Sequence, residues 1–353
     1  MLNRKINHQS MYINNKRSVL KILLENRNIS RADISRDLNL NKPSVSRIIK
    51  EYIDQGWVVE KKLLDTNSKL GKNPILLNIN SEKKILGIRI NEFESSFVIS
   101  DVYGDIFYKK TVSLGAGKEF KKNFNKMLKN IKSEFNNDFI AIGLVFPGIV
   151  NHSMVHFSYN LQIKDFDVSY ISEAIFQGVP VFLENDSRAA ALCEKNFEDT
   201  SLQDFFYVLF KVDYINSILY MGSSFFIHNE IVGGANNFAG EIIDISCSED
   251  GIKHINVGNN SEWTMTSELS HLLLEELRRL FIFLNPKKVI FGGNISKNKS
   301  QFVYMTIKMI DDLKQEYYTY DVNFSVSTVK NPVELGAVAL VVHNLKNGKF
   351  QIL

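Results

Sequence analysis

Cysteine is nearly absent: the 353 residues contain two, Cys193 and Cys247, far apart and in neither a CxxC nor a His-spaced arrangement. That leaves no disulfide framework and fits a reducing compartment. Long apolar runs are missing as well. The first thirty residues are polar and hold no signal-type apolar stretch. The longest apolar segment, around Ala141–Val150, is broken by Pro147-Gly148 and falls far short of the roughly 20 residues that a membrane-spanning helix needs. A cytoplasmic protein with no membrane partner is therefore expected. Nor is the chain short of core material: at 44% hydrophobic and 23% charged it has a globular composition, enough for two or three domains.

The charge is unevenly placed. Residues 1–80 carry 15 Lys and Arg against 7 Asp and Glu, a net of +8, whereas residues 81–353 carry 27 against 32, a net of −5. The basic segment contains SRADISRDLNLNKPSVSRIIKEYIDQG at residues 30–56, two short amphipathic helices joined by a tight polar turn. Val19, Leu20, Ile22, Leu23 and Leu24 give a preceding helix its buried stripe. Ser30 is placed to cap a second helix with Ile34 and Leu38 inward. In a third, Asn41 is the N-cap and Pro43 sits in the first turn, where no amide donor is required; Val45, Ile48, Ile49, Tyr52 and Ile53 face inward until Gly56 ends the run. Lys42, Ser44, Ser46, Arg47 and Lys50 remain on the other face, where hydroxyls and cations reach base edges and phosphates in helix-turn-helix docking. WVVEKKLL and NPILLNI flank a polar turn and predict a β-hairpin wing, whose tip residues Lys69, Lys72 and Asn73 would reach a neighbouring groove. The bland alternative is a solvated basic face on an ordinary three-helix unit.

Past residue 80, strand-like runs (KKILGIRI, SSFVISD, DIFYKKTVSL, FIAIGLVFPGIV, VPVFLEN, FFYVLFKV, NSILYMG, KKVIFGGN) alternate with helical stretches expected at 118–135, 187–196, 267–284 and 301–318. This predicts α/β layering in two halves around a cleft. ENDSRAAALCE places Asn185 and Asp186 at a strand end just before a small-residue helix, a natural ligand-facing position; the competing reading is that Asp186 only caps that helix.

The strings GLVFPGIV, VPVFLENDSRAAALCE, GGANNFAGEI, VIFGGNIS and ELGAVAL, together with the helix-turn-helix segment, resemble in order and spacing the regulators of the repressor/open-reading-frame/sugar-kinase (ROK) family. The resemblance covers nearly the whole chain. It implies a winged helix-turn-helix DNA-binding domain over 1–80 and, over 81–353, a two-lobed domain of the actin/hexokinase (ribonuclease H-like) fold that binds effector and dimerises. In kinases of the family the residue matching Asp186 is the general base, and the residues matching Asn160, Asn185 and Glu241 hold sugar. Asp244 stands where a zinc-bound, sugar-touching His is usual.

The departures matter as much. Where the kinases read GIDIGGTK this chain has Gly87-Ile88-Arg89-Ile90-Asn91-Glu92-Phe93, so the close backbone approach to a phosphate is lost. The second phosphate loop falls around Ile218–Gly222 and keeps one glycine. Ile255, Val257 and about Glu262 replace the remaining zinc ligands. The expectation is a non-enzymatic regulator of carbohydrate metabolism with no catalytic residues, metal or cofactor. Its partners are a double-stranded DNA operator, a small carbohydrate effector, and further copies of itself as a homodimer or dimer of dimers. A regulator with a vestigial pocket that answers to a protein partner or to nothing is the alternative, and a sugar kinase the remaining one.

Overall fold

A computed structural model describes residues 8–62, 75–91, 94–136, 138–159, 161–213, 218–241, 255–257, 263–265, 267–293, 311 and 322–350. The N-terminal unit consists of α1 (His8–Glu25), the short strand β1 (Ile29–Ser30), α2 (Arg31–Asp37), α3 (Lys42–Asp54), β2 (Val58–Lys62) and β3 (Ile75–Ile79). Ser30 caps α2 in a reciprocal box: its Oγ accepts from the Asp33 amide at 3.2 Å, and the Asp33 carboxylate accepts from the Ser30 amide at 3.3 Å. Asn41 caps α3 by accepting from the Ser44 amide at 2.8 Å. These bonds satisfy amides that a helix start otherwise leaves orphaned. β2 and β3 pair antiparallel as the expected wing, and β1 adds a third strand on β3.

The larger domain is built on two sheets. The first comprises β4 (Lys84–Arg89), β5 (Ser95–Ser100), β6 (Ile106–Val112), β7 (Phe139–Phe146) and β11 (Val181–Asn185), in the order β11-β7-β4-β5-β6. β11, β7 and β4 run parallel, so Asn185, Phe146 and Arg89 finish at the same edge, the edge of a parallel sheet where ligands bind. Helix α4 (Gly117–Phe135) covers one face, with Phe120 and Phe124 packed edge-on against Phe146 and Phe166. After β7 the chain makes a small antiparallel sheet of β8 (Ile149–Asn151), β9 (Met154–Ser158) and β10 (Ile163–Asp167), which the sequence reading did not anticipate.

The second sheet holds β12 (Phe205–Asp213), β13 (Ile218–Ile227), β14 (Glu230–Ile231), β17 (Lys288–Gly293) and β18 (Asn323–Val326), ordered β14-β13-β12-β17-β18. A separate pair, β15 (Ile255–Val257) and β16 (Trp263–Met265), precedes α6 (Ser267–Leu284). Between the two sheets lie α5 (Asp186–Cys193) and the C-terminal α7 (Pro332–Lys346): α7 packs on β4 and β7, α5 on β12 and β13, and the two helices on each other. α5 is buried along its whole length. Burial pushes the Cys193 thiol well up, which makes it an inert packing residue.

Several expectations change. The strand expected from NSILYMG is part of β13, where Leu219 pairs with Val212 and Gly222 with Leu209, so the segment that the resemblance matched to a second phosphate loop, Ile218–Gly222, is strand throughout. The helix expected over 187–196 is α5 followed by a π-turn at Glu194–Glu198. The ELGAVAL string, given no secondary structure from its sequence, is the core of α7. The helix expected over 301–318 lies outside the described residues except for Asp311.

The N-terminal unit does not hang on a linker. One continuous apolar cluster runs from Val19, Leu23, Ile48 and Leu77 into Ile85, Val98, Val338, Val342 and Leu345 of the larger domain. Tyr103, in the turn between β5 and β6, bridges the two: its hydroxyl donates to the Leu23 carbonyl at 3.0 Å and accepts from the Ile79 amide at 2.9 Å, while Arg27 stacks over its ring at 4.4 Å and pairs with Asp105 at 2.6 Å.

Beside this seam, burial holds the His343 imidazole down at about 4, with surrounding lysines acting in the same direction. The ring is neutral in the folded state, whereas the unfolded chain takes up a proton near pH 6.5. Stability is therefore full above that pH and drains away as pH falls from about 6.5 toward 4, by on the order of 3 kcal/mol at the lower end. Urea melts of His343→Gln at pH 7 and pH 5 should show an acid loss about 2 kcal/mol smaller than that of the unmodified chain; equal losses would remove His343 from the account.

Candidate functional site

Two surfaces carry the candidate residues. On the first, α3 turns Val45, Ile48, Ile49 and Tyr52 into the core and leaves Lys42, Ser46, Arg47 and Lys50 exposed, with Ser44 half-buried. Arg47 and Lys50 occupy the centre of the outward face. The structure adds a neighbour that the sequence reading missed: α1 lies along one flank of α3, and its Tyr12 ring takes the Arg47 guanidinium at 4.3 Å. The Tyr12 hydroxyl in turn donates to Glu51, and Lys16 pairs with the same carboxylate at 3.2 Å. Hydrogen bonds from Tyr12, opposed by burial, hold Glu51 below the usual carboxylate range. Arg47 is thus stacked in place rather than sweeping freely, a preorganised cation on the outward face. Lys69, Lys72 and Asn73, expected at the wing tip, lie outside the described residues.

The second surface lies at the carboxyl end of β11, where the chain turns into α5. Asn185 is the N-cap: its Oδ1 accepts from the Ser187 amide at 2.8 Å and the Arg188 amide at 3.3 Å, and its Nδ2 donates to the Gly148 carbonyl at 2.8 Å and, more weakly, to Glu241 Oε1 at 3.4 Å. The capping role considered for Asp186 therefore falls mainly to the residue before it. Gly148 sits at φ +108, and a Cβ there would lie 2.3 Å from the Phe157 carbonyl oxygen, so the Pro-Gly loop between β7 and β8 can close only on glycine.

Asp186 is buried and pairs with Lys211 Nζ at 2.6 Å. Lys211 comes from β12 in the other sheet, so this bond ties the two halves together across the site. Arg188, also buried, binds Glu184 at 2.6 Å and donates to the Asn237 carbonyl at 3.2 Å, and the Asn237 side chain donates to Asn151 at 2.7 Å. Glu241 completes the ring; burial first, and then the charge of Asp186, push its carboxyl up. Asn185, Asp186 and Glu241 are brought together as expected, while Asn160 and Asp244 lie outside the described residues.

The Asp186 carboxylate is already engaged by the Lys211 ammonium at 2.6 Å, so a hydroxyl approaching it would have to compete with that contact. The other end of the same edge is closed in a similar way. Arg89 donates to the Glu94 carbonyl at 2.6 Å and faces Glu334 of α7 at 3.7 Å; Lys109 pairs with Glu334 at 3.1 Å, and Ser96 donates to it at 3.2 Å. Arg89 thus joins an internal ion cluster with Glu334 at the position where the resemblance had put an acidic residue; Glu92 and Phe93, expected in place of the phosphate-holding glycine turn, lie outside the described residues. Lys211, Arg188 and Glu334 were missed by the sequence reading. Their signal was a lone charge inside an apolar run, FFYVLFKV for Lys211 and the α7 segment for Glu334, which a buried element keeps only when the charge is paired.

Comparisons with known proteins agree with this architecture. Residues 14–59 match the winged helix-turn-helix DNA-binding family and residues 86–251 the ROK family. The xylose repressor of Caldicellulosiruptor bescii is 30% identical over 246 residues, which span 67% of this chain and 59% of that protein; the match thus covers less than two thirds of the relative's length. Among solved structures, a ROK family transcriptional regulator described as a homologue of the E. coli MLC protein superposes with a TM-score of 0.70 at 17% identity, over 96% of this chain and 97% of the other. The ROK hexokinase of Thermus thermophilus gives 0.52 at 17% identity, over 73% of this chain and 97% of the enzyme. These last two likenesses concern the fold, which regulator and kinase share, so the site itself has to decide between them.

Proposed function

The chain belongs to the ROK family, and on that premise we propose that it is a cytoplasmic, sequence-specific repressor of carbohydrate use whose larger domain binds a sugar without phosphorylating it. Residues 1–80 form the DNA-reading unit and residues 81–353 the effector and dimerisation unit. The working form is a homodimer or a dimer of dimers, because one helix-turn-helix makes too few contacts for an operator and two heads read two half-sites. The observation that carries the non-enzymatic reading is the Asp186–Lys211 ion pair at 2.6 Å, with the Arg89–Glu334–Lys109 cluster beside it. Phosphoryl transfer needs an available base and a phosphate cradle; the base position is engaged by Lys211, and the position that is acidic in the kinases carries an arginine facing Glu334.

A sugar is the fitting effector. Asn185, Asp186, Lys211 and Glu241 offer amide, carboxylate and ammonium groups from two sheets and a loop, a mixture that suits a ring of hydroxyls. The name of the C. bescii relative puts an aldopentose, xylose, first among those to try. A hydroxyl ring entering here competes for groups that tie β11 to β12. Any shift between the sheets is felt by α7, and through the shared core by the reading unit. Sugar can regulate only by binding one arrangement more tightly than the other.

The test is operator release, followed by fluorescence anisotropy of a labelled promoter fragment across a carbohydrate panel. One sugar, xylose first, should lower operator affinity by about tenfold or more and raise the melting temperature, with no ADP formed from ATP. Asp186→Ala should lose both sugar responses while still binding operator. Steady ADP release with any hexose would overturn the non-enzymatic reading. A second reading is favoured by the internal pairing of Asn185, Asp186 and Arg188, namely a vestigial pocket that responds to a protein partner; a flat response to every sugar would select it.

A further inference from the structure

At the seam between α1 and the larger domain, past the opposite end of α5 from Asp186, lies a cavity of about 40 Å³ lined by Lys21 and Glu25 of α1, Lys195 of the π-turn, Asn229 of the β13–β14 turn, and His343 and Lys346 at the end of α7. From its charge and position, we infer that this seam holds a binding site for a small oxyanion, a phosphate or a phosphate group carried on a larger molecule.

The lining has more positive charge than it can neutralise. Lys195 is buried, Lys346 has a side chain only 8% exposed, and Lys21 stands exposed at the mouth. Against these three ammonium groups stands one lining carboxylate, Glu25, whose nearer oxygen is 3.5 Å from Lys346. Among the described residues Lys195 donates to neutral acceptors, the Leu202 carbonyl and the Asn229 side chain, with the Phe226 ring at 5.7 Å, while Glu25 and Asp199 act on it only through their charge. His343 adds no charge of its own at neutral pH. Buried cations of like sign repel one another and have given up hydration; an anion among them restores both losses, and lysine is a common phosphate ligand. Size agrees with charge: each bound water takes roughly 10–15 Å³ of such space, so the cavity holds about three waters or one tetrahedral oxyanion, and a carrier would project past Lys21.

The lining comes from both units, so the anion is held fully only while α1 sits against α7 and thereby favours the seated arrangement. This coupling to DNA rests on the repressor reading; the site itself does not. The test is a thermal melt of the full chain with inorganic phosphate up to about 20 mM at constant ionic strength balanced by chloride. A saturable rise of several degrees is expected. Lys21→Gln and Lys346→Gln should each need about tenfold more phosphate for the same rise; if Lys346→Gln fails to fold, Lys21→Gln, at an exposed position, carries the comparison alone.

Ribose 5-phosphate and ribose separate the sources. Saturation at lower concentration with ribose 5-phosphate than with phosphate assigns a carried group, and the reverse order assigns the free ion. Both responses must weaken in the lysine variants. No rise beyond the chloride control, or the same rise in both variants, would overturn the site. A thermal response without any change in operator affinity would leave the site standing and overturn the coupling.

Discussion

Alanine at position 143 is expected to destabilise the folded protein severely. Gly143 lies in the middle of β7, flanked by Gly87 of β4 and Phe182 of β11, and α7 crosses directly above it. A Cβ built there would sit 1.8 Å from the Ala337 carbonyl oxygen and 2.7 Å from its carbon. Those are backbone atoms of a helix, so no side-chain rotation relieves the clash and α7 itself would have to lift. It has nowhere to go, because on its far side a Cβ at Gly336 would already lie 2.4 Å from the Ala189 carbonyl oxygen of α5. Over-packing against side chains costs about 1–3 kcal/mol. With backbone on both sides of α7, a cost of about 4 kcal/mol or more is expected, which lowers the melting temperature by about 5 °C or more. Gly178→Ala is the control: φ is +92 but nothing lies within 4 Å of the added carbon, so only the backbone penalty of about 1 kcal/mol applies. Circular-dichroism melts with similar midpoints for the two variants would show that the α7 crossing is not as tight as described.

Reversing one charge on α3 is expected to abolish specific DNA binding without touching the fold. Lys50 is exposed at the centre of the outward face, beside Arg47 on its Tyr12 platform, and contributes nothing to the buried face of Val45, Ile48, Ile49 and Tyr52. Loss of one base-edge or phosphate contact costs about 1–3 kcal/mol. Lys50→Glu adds repulsion from the phosphates and would act twice in a dimer, so a loss of about a hundredfold or more in operator affinity follows. The melting temperature should stay within about a degree, since exposed substitutions of this kind change stability little. Arg47→Ala should weaken binding too, but through a different mixture, because it also removes the cation that α1 holds. Electrophoretic shifts with the same operator at several salt concentrations distinguish these effects. An unchanged affinity for Lys50→Glu would mean that another face of the unit meets the duplex.

The reading unit was legible because its instructions are local. Ser30 and Asn41 cap the helices they precede, Gly56 follows the end of α3 at φ +67, and the spacing of Val45, Ile48, Ile49 and Tyr52 sorts one face from the other. These are interactions over three or four residues, which spacing encodes directly. The alternation of strands and helices past residue 80 was legible for the same reason. The β8–β10 sheet was harder to see, since its strands are three to five residues long and their polar positions hide the period.

The cluster around Asn185 and Asp186 was only half visible. ENDSRAAALCE could be placed at a strand end, and so Asn185 and Asp186 were found. That Asp186 meets Lys211, 25 residues away on a different sheet, that Arg89 meets Glu334 at the other end of the chain, and that Arg47 meets Tyr12 of another helix could not be read from spacing, because each depends on how separately folded elements come to rest on one another.

By itself, then, the amino-acid order determined a basic head of capped helices, a layered α/β body and the family to which both belong, since periodicity, caps and charge act within a few residues of where they are written. Only the tertiary structure decided that the head shares the body's apolar core, that the inherited carboxylate is held by a lysine, and that buried ammonium groups gather at the seam. Charges pair through space, and their partners are set by packing rather than by sequence distance.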